Sequence, residues 1–257
     1  MARNRLEKDS LGSRRIPADV YYGIQTDRAI HNFPISGLRA HPLFVTAFVC
    51  VKKAAALANA KGGTLPPKNA RAIARACDEI LAGKLRDQFP VDVYQMGAGT
   101  SFNMNVNEVV ANRANELLGK RRGSYHPIHP NDHVNMGQST NDAFPTAMRI
   151  GVLLVLREYL HGPLEELEGA FFKKGRQFNK VLKSARTHLQ DAVPIRLGQE
   201  FTAYGWALRK CRNRLVEAEK AAQEMGIGGS AAGTGLNTTP GYRSEVIRHL
   251  KKFTGLP

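Results

Sequence analysis

Two stretches, Ala143 to Phe178 and Val193 to Met225, each more than thirty residues long, carry apolar residues at the spacing of one α-helix face. Helices that long must pack along most of their length, because propensity alone does not hold them. The pattern therefore predicts a long-helix bundle rather than a globin-sized packing. Only two such helices are present, so the bundle is completed either by other chains or by further sequence. The first is interrupted at Gly162-Pro163, which should kink or restart it. Asp191 and Pro194 supply start signals for the second.

Shorter helices precede them. Pro42 to Ala60 has helical periodicity, and Pro66 to Lys84 has proline near its start and Gly83 near its end. A helix from about Asn103 to Leu118 should follow the glycine turn Gly97 to Gly99 and close at Gly119, and a last one should run from "TTPGYRSEV" to Gly255. Strand signals are nearly absent, and the first forty residues read as an irregular arm rich in Pro, Gly and aromatics. The expected fold class is all-α. It divides into an N-terminal helical domain, residues 1–140, and an incomplete long-helix bundle, residues 141–257.

Apolar residues make up 42% of the chain, enough for a real core. The opening "MARNRLEKDS" has no apolar h-region, and the longest apolar run, near Leu43 to Val51, is too short to span a bilayer. A soluble, cytoplasmic protein is expected. Cys50, Cys77 and Cys211 show no CxxC or Cys/His ligand spacing, so they read as buried thiols in a reducing compartment, with no metal site. The formal charge of +15 invites a nucleic-acid reading. The basic residues, however, fall in short scattered doublets such as Arg14-Arg15, Lys52-Lys53, Lys173-Lys174 and Lys251-Lys252, with no interleaved aromatics. Solvated helix faces that attract small dianions fit better.

The informative polar segment is "HPNDHVNMGQSTNDAFPTAM", His129 to Met148. Ser139, Thr140, Asn141 and Asp142 are helix-capping types, and Pro145 is placed where a first helical turn tolerates it. A polar loop feeding a helix N-terminus offers unpaired N–H groups and a positive dipole pole, so a carboxylate or phosphate would fit. The plain alternative is that these residues only cap the helix and satisfy their own loop. "GAGTSFNMNVNE" puts Thr100 and Ser101 in a similar place, after a glycine turn and before a helix. "RTHLQDAVP" puts Thr187 and His188 in a connection between the long helices, and "GGSAAGTGLNTTP" is a small-residue loop before the last one.

In order and spacing, these segments together with "EKDSLGSRRIPADVYYGIQTDRAIHNFPISG" and "GTGLNTTPGYRSEVIRHL" resemble the fumarase/aspartase superfamily over essentially the whole chain. Ser139-Thr140-Asn141 looks like the aspartate ammonia-lyase form of a triplet that fumarases usually write Ser-Ser-Asn, and "DAVPIRLGQEF" leans the same way. The resemblance implies reversible elimination of ammonia from L-aspartate to give fumarate, with class II fumarase as the alternative. The hard step removes a weakly acidic proton beside a carboxylate, so the dianionic enediolate must be crowded with donors. Each donor is worth roughly 2.7 to 4 kcal/mol in the barrier.

By resemblance, Thr100, Ser139 and Thr140 match donors to the β-carboxylate, with Ser101 adjacent, and Thr187 matches a residue on the α-carboxylate. Asn141 and His188 match groups near the amino group and its neighbouring carboxylate, His188 being the catalytic candidate. His129, Asn131 and Asp132 correspond to a second anion site of the fumarase branch. The resemblance implies no cofactor, a small dicarboxylate as partner, and a homotetramer in which each site draws on three subunits. One departure stands out. The family's base is a serine in a loop of pattern G-S-S-x-x-M-P-x-K-x-N-P, which these residues do not contain, while family chains continue well beyond this length. A truncated copy, half of a split enzyme, part of a longer chain and a non-catalytic protein that docks into complete relatives all remain open.

Overall fold

A computed structural model describes residues 4–257, so the first three residues of the charged N-terminal stretch lie outside the described residues. Packing divides the chain into two units, residues 4–152 with Met225–Pro257, and Leu153–Glu224.

The first unit begins with a hairpin, β1 (Asn4–Asp9) and β2 (Gly12–Pro17), paired antiparallel from Asn4 opposite Pro17 to Asp9 opposite Gly12. The expected irregular arm is therefore partly strand. Its signal was weak because only Glu7 and Ile16 of the two strands are buried, so no apolar alternation marks them. Arg28 of α1 (Ile24–Asn32) forks onto Asp9 at 2.8 Å and ties the hairpin down. Four helices follow: α2 (Pro42–Lys61), α3 (Pro67–Leu81), α4 (Thr100–Leu117) and α8 (Tyr242–Thr254), all near their expected limits.

Helix α2 is the core element, packed against α3, α4 and α8. His41 caps it by accepting the Leu43 N–H at 3.2 Å, and Pro42 opens it. By length and hydropathy it could cross a membrane, against the expectation from its shorter apolar run, but 67% of that window is buried inside the protein. Phe44 and Phe48 of α2 meet Phe102 of α4 and Phe144 of α5 (Thr140–Val155), with ring centroids 5.1 to 5.8 Å apart. Burying each such ring contributes about 1.5–3 kcal/mol. Glu108 of α4 accepts the N–H groups of Gly23, Gln25 and Thr26 and the Thr26 hydroxyl, at 2.6 to 3.0 Å, and so caps α1 from across the unit. Burial pushes its carboxyl up to about 7 against the pull of those bonds.

The second unit is an antiparallel helix pair, α6 (His161–Gln177) and α7 (Leu197–Ala222), joined by a hairpin of β3 (Leu182–Thr187) and β4 (Gln190–Arg196). The helix expected from Val193 starts only at Leu197, because Asp191 and Pro194 lie in β4 rather than at a helix start. Pro194 is tolerated there in a two-stranded ribbon, where each strand has an unpaired edge. The first long helix is interrupted as expected. A π-helical turn, Leu156–Leu160, separates α5 from α6 just before Pro163, and the His161 N–H reaches back to the Leu156 carbonyl. Gly198 lets the pair close, since a Cβ there would lie 2.3 Å from the Gly175 carbonyl oxygen. Glu168 binds Arg209 at 2.7 Å and Arg212 at 3.2 Å, and the Arg209 guanidinium covers the Phe172 and Trp206 rings. Each helix of the pair buries only two residues, and Leu167, Tyr204, Trp206 and Val216 are exposed. Cys211 is exposed too, unlike Cys50 and Cys77 and against expectation.

Candidate active site

Helix α4 starts where Gly99 adopts φ +80°, and a Cβ there would collide with the Phe144 ring at 2.2 Å, so glycine is required. The turn presents Thr100 and Ser101 as the first helical residues. Gln95 takes the Phe102 N–H at 2.7 Å. Both Thr100 and Ser101 line an open cavity of about 540 Å³ with Arg14, Gln25, Arg28, His31 and Met104. The two guanidinium groups are committed, Arg14 to Asp27 at 2.6 Å and Arg28 to Asp9.

Helix α5 starts on a reciprocal cap. The Ser139 hydroxyl accepts the Asn141 N–H at 3.2 Å, and Asp142 accepts the Ser139 N–H at 2.9 Å. The helix begins earlier than expected, so Pro145 is its sixth residue, beyond the first turn. Its missing N–H leaves the Asn141 carbonyl without a helical donor, which is tolerable because Asn141 is exposed to water. Asp142 also accepts the N–H groups of Gly228 and Ser230 at 3.0 and 2.8 Å, and the Asn141 side chain donates to the Ala231 carbonyl at 3.0 Å. The small-residue loop is thus pinned to this helix end. Between them is a cavity of about 300 Å³ lined by Ser139, Asn131, Gln138, Ser230 and Asn237.

The two helix ends are joined through Asn103, one turn into α4, whose side chain donates to the Thr140 hydroxyl at 3.1 Å. Beneath them lies Lys52 of α2, fully buried, where a solvated lysine doublet was expected. Its Nζ reaches the side-chain oxygens of Asn103, Asn135 and Gln138 at 2.7, 2.9 and 2.9 Å. Burial pushes its ammonium down to about 7, with Asp142 acting in the opposite sense. The signal for it was present. Val45, Phe48, Val49 and Lys52 follow helical spacing, which places a lysine on the buried stripe of an apolar helix.

His129 precedes a π-helical turn, Pro130–Val134, and its Nδ1 accepts the N–H groups of Asn131 and Asp132 at 3.3 and 3.2 Å. The three residues share one turn, with part of their polarity spent internally. Thr187 and His188 belong to the second unit. Thr187 ends β3, and His188 and Leu189, at φ +46° and +61°, form the exposed two-residue turn of that hairpin. Both lie in a helix-to-helix connection as expected, Thr187 at a strand end and His188 in the tight turn that follows it. Among the described residues no group of three His, Cys, Asp or Glu side chains could hold a metal ion.

A protein-family model described as lyase matches residues 12–257. The chain is 51% identical over 253 residues to an aspartate ammonia-lyase from Bacillus subtilis (strain 168), covering 98% of this chain and 53% of that one. It is 49% identical over 255 residues to a class II fumarate hydratase from Thermus aquaticus, covering 98% and 54%. Among solved structures, a cobalt-bound fumarate lyase:delta crystallin from Brucella melitensis superposes with a TM-score of 0.95 at 50% identity, over 99% of this chain and 55% of that chain. A class II fumarase from Schistosoma mansoni gives 0.94 at 38% identity, over 98% and 53%. The chain spans about half the length of the curated relatives it matches.

Proposed function

This chain belongs to the fumarate lyase family, and we propose that it supplies the carboxylate-binding half of an aspartate ammonia-lyase. In this reading residues 1–140 form the N-terminal lyase domain and 141–257 part of the central bundle. The observation that carries the proposal is the tie between two helix N-termini. The Thr140 hydroxyl at the head of α5 accepts from Asn103, one turn into the helix that Thr100 opens.

Two helix dipoles and the hydroxyls of Thr100, Ser101, Ser139 and Thr140 face charge that grows as the proton beside the β-carboxylate leaves. Thr187 would take the α-carboxylate, with Asn141 and the catalytic His188 near the amino group, and His129, Asn131 and Asp132 would form the second anion site. The base, the remaining ligands and the tetramer that would assemble the site belong to the part of the family pattern outside these residues.

The Ser139-Thr140-Asn141 triplet favours aspartate, whereas the near-equal identity to a fumarate hydratase keeps malate as the second reading. The test is to co-express the chain with the remaining half of the Bacillus subtilis relative and follow fumarate by ultraviolet absorbance. L-aspartate should be converted far faster than L-malate. A preference for malate transfers the assignment to fumarase.

A further inference from the structure

We propose that Lys52 is a positioning residue, which acts through Asn103 to fix the Thr140 hydroxyl as a hydrogen-bond donor to a bound carboxylate. The inference rests on the reading of Thr140 as a carboxylate ligand.

An ammonium group can only donate, so the Asn103 atom 2.7 Å from Nζ must be the amide oxygen. The orientation of Asn103 follows. Its two N–H groups then point to the Asn135 side-chain oxygen at 3.2 Å and the Thr140 hydroxyl at 3.1 Å. Thr140 is thereby held as an acceptor on its inner side, which leaves its own proton to donate outwards. Were Asn103 flipped, its oxygen would face Thr140, and the hydroxyl proton would be spent inside the protein.

Lys52 has two further acceptors, Asn135 and Gln138, both in the turn just before Ser139. Three oxygens at 2.7 to 2.9 Å match the three N–H groups of an ammonium, whereas a neutral amine would turn its lone pair on one of them. The same contacts hold the loop and the helix end in one register. A positive charge behind the relay also polarises it towards an anion.

A double-mutant cycle tests this at pH 6 in the enzyme completed by co-expression with the remaining half of the Bacillus subtilis relative, with fumarate as the probe and binding measured by calorimetry. Thr140→Val should weaken fumarate binding about 10- to 100-fold, the worth of a hydrogen bond to a charged group. Lys52→Met should weaken it comparably in the wild-type background and by less than twofold in the Thr140→Val background. A purely structural or through-space role of Lys52 would give the same factor in both backgrounds, and that result overturns the inference. Equal binding by wild type and Thr140→Val, or no fumarate binding by the wild type, overturns the reading of Thr140 itself, and the inference with it.

If circular dichroism shows Lys52→Met unfolded, Asn103→Asp takes its place. That substitution keeps an oxygen for Lys52 and removes the donor to Thr140. Its added charge weakens binding in both backgrounds, so the expected sign of the relay is an additional loss of about tenfold only where Thr140 is present. Equal losses again overturn the inference.

Discussion

At the scale of single residues, Lys52 gives the first unit a contribution to stability that rises with pH. Its ammonium titrates near 7 when folded and near the free value of 10.5 when unfolded. Between those values the unfolded chain binds more protons, so the Lys52 contribution to stability rises as pH increases from about 7 towards 10.5 and is smallest below 7. Urea unfolding at pH 6.5 and 9.5 should show a gain with pH in the wild type that is missing in Lys52→Met. A gain of the same size in both proteins would place the titration elsewhere. Ser139 and Thr140 at a helix start, and Thr100 after its glycine, were legible because capping chemistry is local. Lys52 was not, because a doublet of charges looks solvated until its register on the helix is counted. Asn103 and Gln138 were hidden for a related reason: a polar residue inside a quoted motif does not reveal which neighbour it serves.

Elements follow the same division. The limits of α2, α3 and α8, marked by proline and glycine, fell close to their expected places, since those residues act on their own backbone, whereas Pro194, read as a start signal, lies in a strand. Both hairpins escaped, because strands this short with few buried residues carry no alternation to read. The π-helical turn before Pro163 has a steric cause. A proline ring in a regular helix strikes the carbonyl four residues back, and widening the helix at Leu156–Leu160 relieves the clash. Pro163→Ala should restore regular hydrogen bonding, add about 1–3 kcal/mol to local stability and slow amide exchange across residues 156–163 by at least tenfold. Unchanged exchange would mean that packing, not the proline, sets the turn.

For the whole molecule, the exposed apolar residues of α6 and α7 are the feature that most needs a partner. Two helices that bury so little against each other gain their stability from further helices. Sedimentation of the 257-residue chain should therefore show self-association rather than a 28.3 kDa monomer, and a monodisperse monomer would contradict this. A long-helix bundle was foreseeable from periodicity alone. How the contacts divide was not, since the return of Met225–Pro257 to the first unit depends on α8 packing against α2.

The account as a whole stands on the two tied helix ends as the place where developing charge is held. In the enzyme completed with the Bacillus subtilis half, kcat for L-aspartate measured on Thr100→Val and Thr140→Val tests this directly. Each substitution should lower kcat by about 10² to 10³ with the circular dichroism spectrum unchanged, as loss of one donor to a developing oxyanion does. A kcat within twofold of wild type for either folded variant would contradict it.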